Sequence, residues 1–204
     1  MAKKGVLTKS DYLKMEELKR MTEALAADEN WKFELYITFS VATALRVCDV
    51  LSTSWIDVVE EDAEGHVVLR KFFYKREKKT GKIRKINFSQ SVGNRIMELY
   101  VKLGSPKLNS IIFTNRGGEK ALSSQYVNAE LKRIKERYQI NISNFSTHTF
   151  RKTFARHFWE SQDRSSGSLI LLMSLLNHSS IEMTKRYLAI SDDEIAGVYQ
   201  SFEI

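Results

Sequence analysis

The chain has 204 residues, a net charge of +7 and a single cysteine, Cys48. This length fits one domain, or one domain with an appendage, and a lone cysteine excludes an internal disulfide framework and Cys-rich metal sites. The longest apolar run, near residues 169–176, is far shorter than the roughly 20 residues that a membrane span needs. The first residues contain lysines but no apolar signal-peptide core, so we expect a soluble, cytoplasmic protein.

The periodicity of apolar residues predicts a mostly α-helical protein with a small antiparallel β-sheet, an α+β fold. A helix is expected over 6–27, where Thr8 or Ser10 could cap its start. The helix expected over 31–45 is apolar nearly all round, which predicts a central position in the core. Further helices are predicted at 46–54, 89–103, 123–139, 146–161, 168–176, 180–188 and 192–202, with a flexible loop at 162–167.

A β-hairpin is predicted between these helices. Residues 66–74 and 82–88 are rich in β-branched and aromatic side chains, and Thr80-Gly81 supplies the turn between them. Before the hairpin, 57–65 is predicted to be an acidic turn, and after it 111–114 is predicted to be a short strand or extended segment.

The hairpin region is strongly basic, with eight basic residues from Lys71 to Lys85 against one acid, Glu77. Such a run is often only a solvated face. Here aromatic residues are interleaved with the charges, which is typical of a hairpin laid against a polyanion. The basic side chains expected to contact it are Lys75, Arg76, Lys78, Lys82, Arg84 and Lys85.

His148 and Arg151 are three positions apart at the start of a predicted helix, so they share one face of it. They lie off the apolar stripe that Phe150, Phe154 and Phe158 form. A basic pair of this kind is often a surface accident. The first turn of a helix also favours anions, so the same turn could bind a phosphate.

Arg46 follows an apolar segment, 41–45, that should be buried. A buried arginine is rare unless it is paired or holds an anion. A salt bridge to Asp49 would explain it, and Asp49 could at the same time orient part of an anion site. Lys79, at the hairpin tip, is either a solvated lysine or an ammonium group delivered into a groove.

His178 and Tyr187 are nine residues apart in the last part of the chain. A tyrosine there is usually a packing residue, but a phenol can also attack a phosphodiester if its proton is accepted. Two guanidiniums would then stabilise the charged transition state, and a general acid would protonate the leaving alkoxide. The sequence shows neither a metal-ligand cluster nor a P-loop glycine pattern, so we expect no metal, no ATP and no other cofactor.

Four motifs occur in a fixed order, ALRVCD at 44–49, KKTGK at 78–82, HTFR at 148–151 and LNHSSIEMTKRYL at 176–188. Together they resemble the active-site motifs of the tyrosine recombinase (phage integrase) family. The resemblance implies a site-specific recombinase that cleaves and rejoins DNA through a 3′-phosphotyrosyl intermediate. The catalytic residues that it implies are Arg46, Lys79, His148, Arg151, His178 and Tyr187, with Asp49 in support.

The resemblance assigns a role to each of these groups. Tyr187 attacks the scissile phosphate, which Arg46, Arg151 and His178 hold. Lys79 protonates the 5′ leaving oxygen, and His148 takes part in proton transfer at the tyrosine. Three positions depart from the common pattern without removing a chemical group, namely Asn177 for glycine, Phe150 for leucine and Lys152 for histidine.

The same resemblance implies double-stranded DNA as the partner, bound by four protomers on two duplexes, and a protein that is nucleoid-associated when it acts. The segment 190–204 would be a helix that docks on a neighbouring protomer or packs on its own chain, through Ile195, Val198, Tyr199 and Phe202. Because little precedes Thr8, we expect residues 1–204 to form one catalytic domain without a separate N-terminal DNA-binding domain. That is similar to fimbrial-switch DNA invertases, or to a fragment of a longer integrase.

Two other functions fit the same residues. One is a topoisomerase-like activity that nicks and reseals DNA with these groups. The other is a DNA-binding regulator that has the fold but no catalysis, although the complete set of six residues argues against it. Inversion of a DNA segment is not separated from integration or excision by the sequence.

Overall fold

A computed structural model of the protein describes residues 10–188. Thr8, the predicted helix at 192–202 and the predicted docking segment at 190–204 lie outside this range. Within it the chain forms nine helices and four strands. They are α1 (Met15–Ala27), α2 (Trp31–Thr43), α3 (Val47–Val50), α4 (Trp55–Val58), β1 (Val59–Glu61), β2 (Val67–Leu69), β3 (Phe73–Arg76), β4 (Ile83–Ile86), α5 (Gln90–Lys102), α6 (Ser124–Arg137), α7 (Thr147–Ser161), α8 (Ser166–Leu175) and α9 (Ile181–Leu188).

The chain divides at Phe154, inside α7, into two compact units. The first unit contains α1–α6, both sheets and the first half of α7. The second contains the rest of α7 together with α8 and α9. The predicted class, mostly helical with a small antiparallel sheet, is confirmed, although the strands form two separate two-stranded sheets.

Helix α2 runs through the core of the first unit, as its apolar sequence predicted. Tyr36, Ile37 and Phe39 are almost completely buried, so burial extends around the helix rather than along one stripe. The Tyr36 ring packs edge-on against Phe113 and Phe150, at centroid distances of 5.5 and 5.9 Å. Because α7 begins beside this helix, the core fixes the position of the HTFR motif.

Helix α1 begins at Met15 rather than at residue 6 as predicted, and Ser10 does not cap it. The Ser10 hydroxyl instead lies 2.5 Å from the Ser146 hydroxyl, just before α7. The next backbone N–H, that of Asp11, donates to a carbonyl of the same loop at 3.0 Å. These bonds hold the segment against the loop, and the Asp11 N–H is not available to continue a helix.

The strands pair differently from the prediction, which had 66–74 as one strand and 57–65 as a turn. The turn contains β1, and β1 pairs with β2 from Val59↔Leu69 to Glu61↔Val67. The predicted strand is therefore divided between two sheets. Its first part, β2, pairs with the preceding strand β1, and its last part, β3, pairs with the following strand β4. Composition indicates that a segment is extended, but not which neighbour it pairs with.

The other elements follow the prediction with shifted ends. The helix expected at 46–54 is only the four-residue α3, the loop at 162–167 is shortened by the start of α8 at Ser166, and 111–114 takes part in two isolated bridges. None of the helices in residues 10–188 is both long enough and apolar enough to cross a bilayer.

Candidate active site

The β3–β4 hairpin has an inner and an outer face, because side chains alternate along a strand. The outer face is exposed and carries Tyr74, Arg76, Ile83 and Lys85. The inner face is buried or partly buried and carries Phe73, Lys75, Arg84 and Ile86. Two of the six side chains predicted to contact nucleic acid, Lys75 and Arg84, therefore lie on the inner face.

Lys75 is bound inside the protein. Its ammonium group donates to the Ser52 carbonyl at 2.9 Å and lies 3.7 Å from the Asp57 carboxylate. Burial lowers the pKa of Lys75, and the charge of Asp57 opposes that shift. These contacts anchor β3 to the segment after α3 and leave the ammonium group little access to a ligand.

The C-terminal end of α2 gathers two arginines. The helix ends at Thr43 because Ala44 is left-handed, with φ of 48°, and the last carbonyls are left without helical partners. The Arg84 guanidinium donates to the Thr43 carbonyl at 3.0 Å and to the Ala44 carbonyl at 3.3 Å. The Arg151 guanidinium donates to the Ala44 carbonyl at 2.5 Å. The negative end of a helix dipole therefore holds both cations.

Glu77 lies outside the four sequence motifs but at the centre of this group of arginines. Its side chain is fully buried, and its carboxylate lies 2.5 Å from Arg46, 3.4 Å from Arg84 and 3.9 Å from Arg151. The Thr80 hydroxyl donates to the same carboxylate at 3.0 Å. A signal was present in the sequence, because Glu77 is the one acid of the basic hairpin and continues the inward alternation of Phe73 and Lys75.

Arg46 is paired, but not with the predicted partner. Its guanidinium binds Glu77, 31 positions away, and its side chain remains 17% exposed. The fully buried Asp49 instead accepts the backbone N–H of Lys78 at 2.9 Å. Asp49 therefore fixes the start of the hairpin turn next to Lys79, and its supporting role in the site stays a prediction.

Lys79 stands in the turn between β3 and β4 and is exposed, as are Lys78 and Lys82. The turn is closed by the Gly81 N–H, which donates to the Glu77 carbonyl at 2.8 Å. Gly81 has φ of +69°, a conformation that glycine adopts without strain. The turn therefore has a defined shape while the Lys79 side chain reaches into solvent.

The first turn of α7 carries His148 and Arg151 on one face, as their spacing predicted, but His148 is exposed and Arg151 is buried. The hypothesis that backbone N–H groups of this turn bind a phosphate is weakened. The Thr147 N–H donates to the Asn128 side chain at 3.0 Å, and the His148 N–H donates to the Ser146 hydroxyl at 3.2 Å. Protein side chains already occupy these two donors.

His148 lies in a positive environment. The protein atoms around its inner edge lower its pKa by desolvation, and the charges of Arg151, Lys152, Arg46 and Lys79 lower it further. The neutral imidazole is therefore favoured. A neutral imidazole can accept a proton, which is the property that a general base needs.

In the second unit, the end of α8 positions His178. The N–H of His178 donates to the Met173 carbonyl at 2.9 Å, and the N–H of Asn177 donates to the Ser174 carbonyl at 3.1 Å. This is the Schellman arrangement, which requires a left-handed residue, and Asn177 has φ of 52°. Asparagine tolerates that conformation better than most residues, which explains how it can stand where the family commonly has glycine.

His178 and Tyr187 are in contact. Their ring centroids are 5.1 Å apart at an interplanar angle of 69°, and His178 Nδ1 lies 3.0 Å from the hydroxyl of the buried Thr184. Thr184 and Tyr187 are three apart on α9, so they share the face that His178 meets. The nine-residue spacing thus corresponds to a turn followed by two helical turns.

The structure therefore gathers Arg46, Lys79, His148 and Arg151 in the first unit and His178 with Tyr187 in the second. In residues 10–188 no group of three His, Cys, Asp or Glu side chains is arranged to hold a metal ion.

Residues 11–194 match the Phage integrase family. The chain belongs to this family. It is 28% identical over 188 residues to the probable integrase/recombinase YoeC of Bacillus subtilis (strain 168), covering 92% of this chain and 93% of YoeC. It is 30% identical over 134 residues to the tyrosine recombinase XerC of Pelobacter propionicus, covering 57% of this chain and 43% of XerC.

The fold also matches solved structures. The XerH site-specific recombinase, bound to palindromic difH substrate in a post-cleavage complex, superposes with a TM-score of 0.68 at 19% identity, covering 94% of this chain and 53% of the XerH chain. This likeness shows the fold of a tyrosine recombinase catalytic domain. Family membership and the named relatives support site-specific recombination, as the motifs predicted, and do not favour a regulator without catalysis.

Proposed function

We propose that the chain is a site-specific recombinase in which Tyr187 is the nucleophile. Its phenolic oxygen attacks the scissile phosphorus, the bond to the 5′ oxygen breaks, and a 3′-phosphotyrosyl bond forms. That bond keeps the free energy of the broken phosphodiester, so a 5′-hydroxyl can reseal the strand without ATP. The observation that carries the proposal is the gathering of Arg46 and Arg151, from segments far apart in sequence, around one buried anion, Glu77.

The cations would divide the work. A guanidinium binds two oxygens of a phosphate through a planar pair of N–H donors, so Arg46 and Arg151 suit the charge that develops on the non-bridging oxygens. His178 would complete this phosphate grip. The exposed ammonium of Lys79 would donate the proton that the leaving 5′ oxygen takes up, and neutral His148 would accept the phenolic proton.

The outer face of the hairpin and its turn would lie along DNA. Lys78, Lys82 and Lys85 are exposed there, and Lys85 Nζ lies 3.9 Å from the centre of the Phe72 ring. Such a surface presents separated cations between flat apolar groups, which fits a phosphate backbone. Lys75 and Arg84 would act from inside by holding the hairpin in place.

Recombination exchanges strands between two duplexes. We therefore propose that four protomers, each contributing one catalytic domain, assemble on two DNA sites. A protein that acts in this way would be associated with the nucleoid.

A covalent-trapping assay tests the proposal. Duplexes tiled across the DNA beside the gene would be nicked near each candidate site, so that the cleaved end diffuses away, and run with the protein on a denaturing gel. We expect a retarded band with the natural chain and with the control Tyr126→Phe, whose exposed tyrosine lies on α6. The Tyr187→Phe variant should bind the same duplex and give no band.

Other outcomes would contradict the proposal in distinct ways. A band that persists in Tyr187→Phe would show that the nucleophile is another residue, and Tyr199 would be tested next. Binding without any band would support the regulator. Relaxation of supercoiled DNA without exchange between two sites would support the topoisomerase-like activity.

A further inference from the structure

The carboxylate of Glu77 occupies the place where guanidiniums converge. Oε2 accepts from Arg46 at 2.5 Å and from the Thr80 hydroxyl at 3.0 Å. Oε1 accepts from Arg84 at 3.4 Å and lies 3.9 Å from Arg151. The two oxygens are thus divided between different arginines, and none of the carboxylate is exposed.

This burial has a physical consequence. A carboxylate removed from water is tolerated only where cations and hydrogen bonds replace its hydration. Glu77 and the nearby buried Asp49, whose charge also acts on Arg84, carry two negative charges against the three positive charges of the guanidiniums, so the carboxylates do not neutralise the arginines. Their excess charge stays directed to the same place, where a further anion would be attracted.

The three arginines differ in access to that anion. The Arg84 side chain is 8% exposed and the Arg151 side chain 3%, whereas 17% of Arg46 is exposed. Arg84 and Arg151 are also held by the carbonyls at the end of α2. Arg46 has Glu77 as its anchoring contact, and a long side chain anchored at one nitrogen keeps its other donors for a ligand.

We propose that Glu77 is a positioning residue, which acts on DNA cleavage through Arg46. Its carboxylate holds the Arg46 guanidinium in the orientation that the scissile phosphate needs before DNA is bound, while Thr80 holds the carboxylate. Glu77 does not touch the reacting atoms. The inference rests on the proposed function, because it assigns the geometry of the phosphate site to a residue that none of the sequence motifs marks.

Variants of Glu77 should separate the effect of its charge, which is measured by DNA affinity, from its effect on the orientation of Arg46, which is measured by the cleavage rate. Glu77→Gln removes a negative charge beside the phosphate, so binding should be no weaker, and up to about tenfold tighter, with the salt dependence steeper by roughly one charge. The released Arg46 guanidinium should slow cleavage of bound DNA by about 10–100-fold, since small misplacements of catalytic groups have effects of this size. Loss of stability alone would reduce the amount of active protein without this split.

The test is single-turnover cleavage at saturating DNA, together with the affinity over a range of salt. The control Glu60→Gln removes a 2.6 Å ion pair with Arg70 at the surface and should change neither rate nor affinity by more than about twofold. Equal rates for Glu77→Gln and Glu60→Gln, or a rate loss matched by an equal affinity loss, would overturn the proposal.

A gentler pair of variants covers the case in which Glu77→Gln does not fold. Thr80→Val removes the hydroxyl that binds the Glu77 carboxylate at an exposed turn position, and Thr80→Ser keeps it. We expect Thr80→Val to cleave bound DNA roughly three- to tenfold more slowly, as expected for one lost hydrogen bond, and Thr80→Ser to cleave normally. Identical rates for both would count against the proposal.

A measurement without DNA separates this inference from the proposed function. Nitrogen-15 NMR of the arginine side chains, assigned with Arg46→Lys, should show hindered rotation of the Arg46 guanidinium in the natural chain and faster rotation in Glu77→Gln. If the natural chain cleaves no DNA but this difference is seen, the recombinase proposal fails while Glu77 still positions Arg46. Free rotation of Arg46 in both proteins would refute the positioning role alone.

Discussion

Both faces of the β3–β4 hairpin carry positive charge, but the charges have different surroundings. On the inner face Arg84 is buried against Glu77 and the carbonyls that end α2. On the outer face Lys85 is exposed and stacks on Phe72. These two residues are neighbours on one strand, so composition alone cannot separate them. Alternate residues of a strand point to opposite faces, so the basic residues of a hairpin must first be sorted into inner and outer ones before any of them is assigned to a ligand.

The largest expected effect concerns Arg151, which is buried beside the same Glu77 carboxylate as Arg84 and whose charge would serve catalysis under the proposed function. Arg151→Ala should lower the single-turnover cleavage rate about 10²–10³-fold, a barrier increase of about 3–4 kcal/mol, because under the proposed function it removes a fixed donor to the transition state. Arg151→Lys keeps the charge without the planar pair of donors and should fall in between. Cleavage near the natural rate in Arg151→Ala would contradict the role of the buried side in catalysis.

The next largest effect is a difference in the free energy of unfolding between variants on the two faces of the hairpin. Arg84→Met should lower the free energy of unfolding by about 2–3 kcal/mol, because it leaves the Thr43 carbonyl and Glu77 short of a buried donor. Lys85→Met, at the next position on the exposed face, should change it by less than about 0.5 kcal/mol. Urea denaturation would measure both, and equal losses would remove the distinction between the faces.

A smaller effect tests the outer side, where charge would serve binding. Lys82→Ala and Lys85→Ala should each weaken DNA binding and reduce the slope of log affinity against log salt by about 0.9, the value for one lost phosphate contact. Lys107→Ala removes the same charge from the loop between α5 and α6 and should leave the slope unchanged. An equal change in all three variants would indicate a general effect of net charge.

The smallest effect concerns His148, which stands exposed beside the buried cluster. Its pKa is lowered in the folded protein, first by desolvation and then by neighbouring cations. The unfolded chain therefore binds more protons between that lowered pKa and about 6.5, and stability should fall as pH falls through this window. The urea midpoint of His148→Gln should lose less on going from pH 7 to pH 5.5 than that of the natural chain. A larger decrease of the urea midpoint in His148→Gln than in the natural chain would contradict the lowered pKa of His148.

Much of the site could be predicted from the sequence because its signals are local. Turn chemistry located Lys79, helical spacing placed His148 and Arg151 on one face, and the interval between His178 and Tyr187 corresponds to their ring contact. Each of these relations is set by chain geometry over about ten residues or fewer, where periodicity is informative.

Partners distant in sequence could not be predicted in this way. The sequence offered Asp49 as the counter-ion of Arg46, since it lies one turn away, but the ion pair forms with Glu77. The split of the predicted strand 66–74 between two sheets had the same origin. The local sequence pattern indicates whether a segment is helical or extended. Packing against segments distant in sequence determines which strand or charged side chain it pairs with.

The sequence by itself determined the class of the protein, the hairpin and the four motifs that it shares with its family. The tertiary structure decided which charges are buried and what each one binds. Arg151 reaches the Ala44 carbonyl across 107 positions of the chain, and Glu77 joins arginines from three separate parts of the chain. The reason is that a buried charge must find its partner among whatever groups the folded core brings near it, and that neighbourhood exists only after the helices and the hairpin have packed.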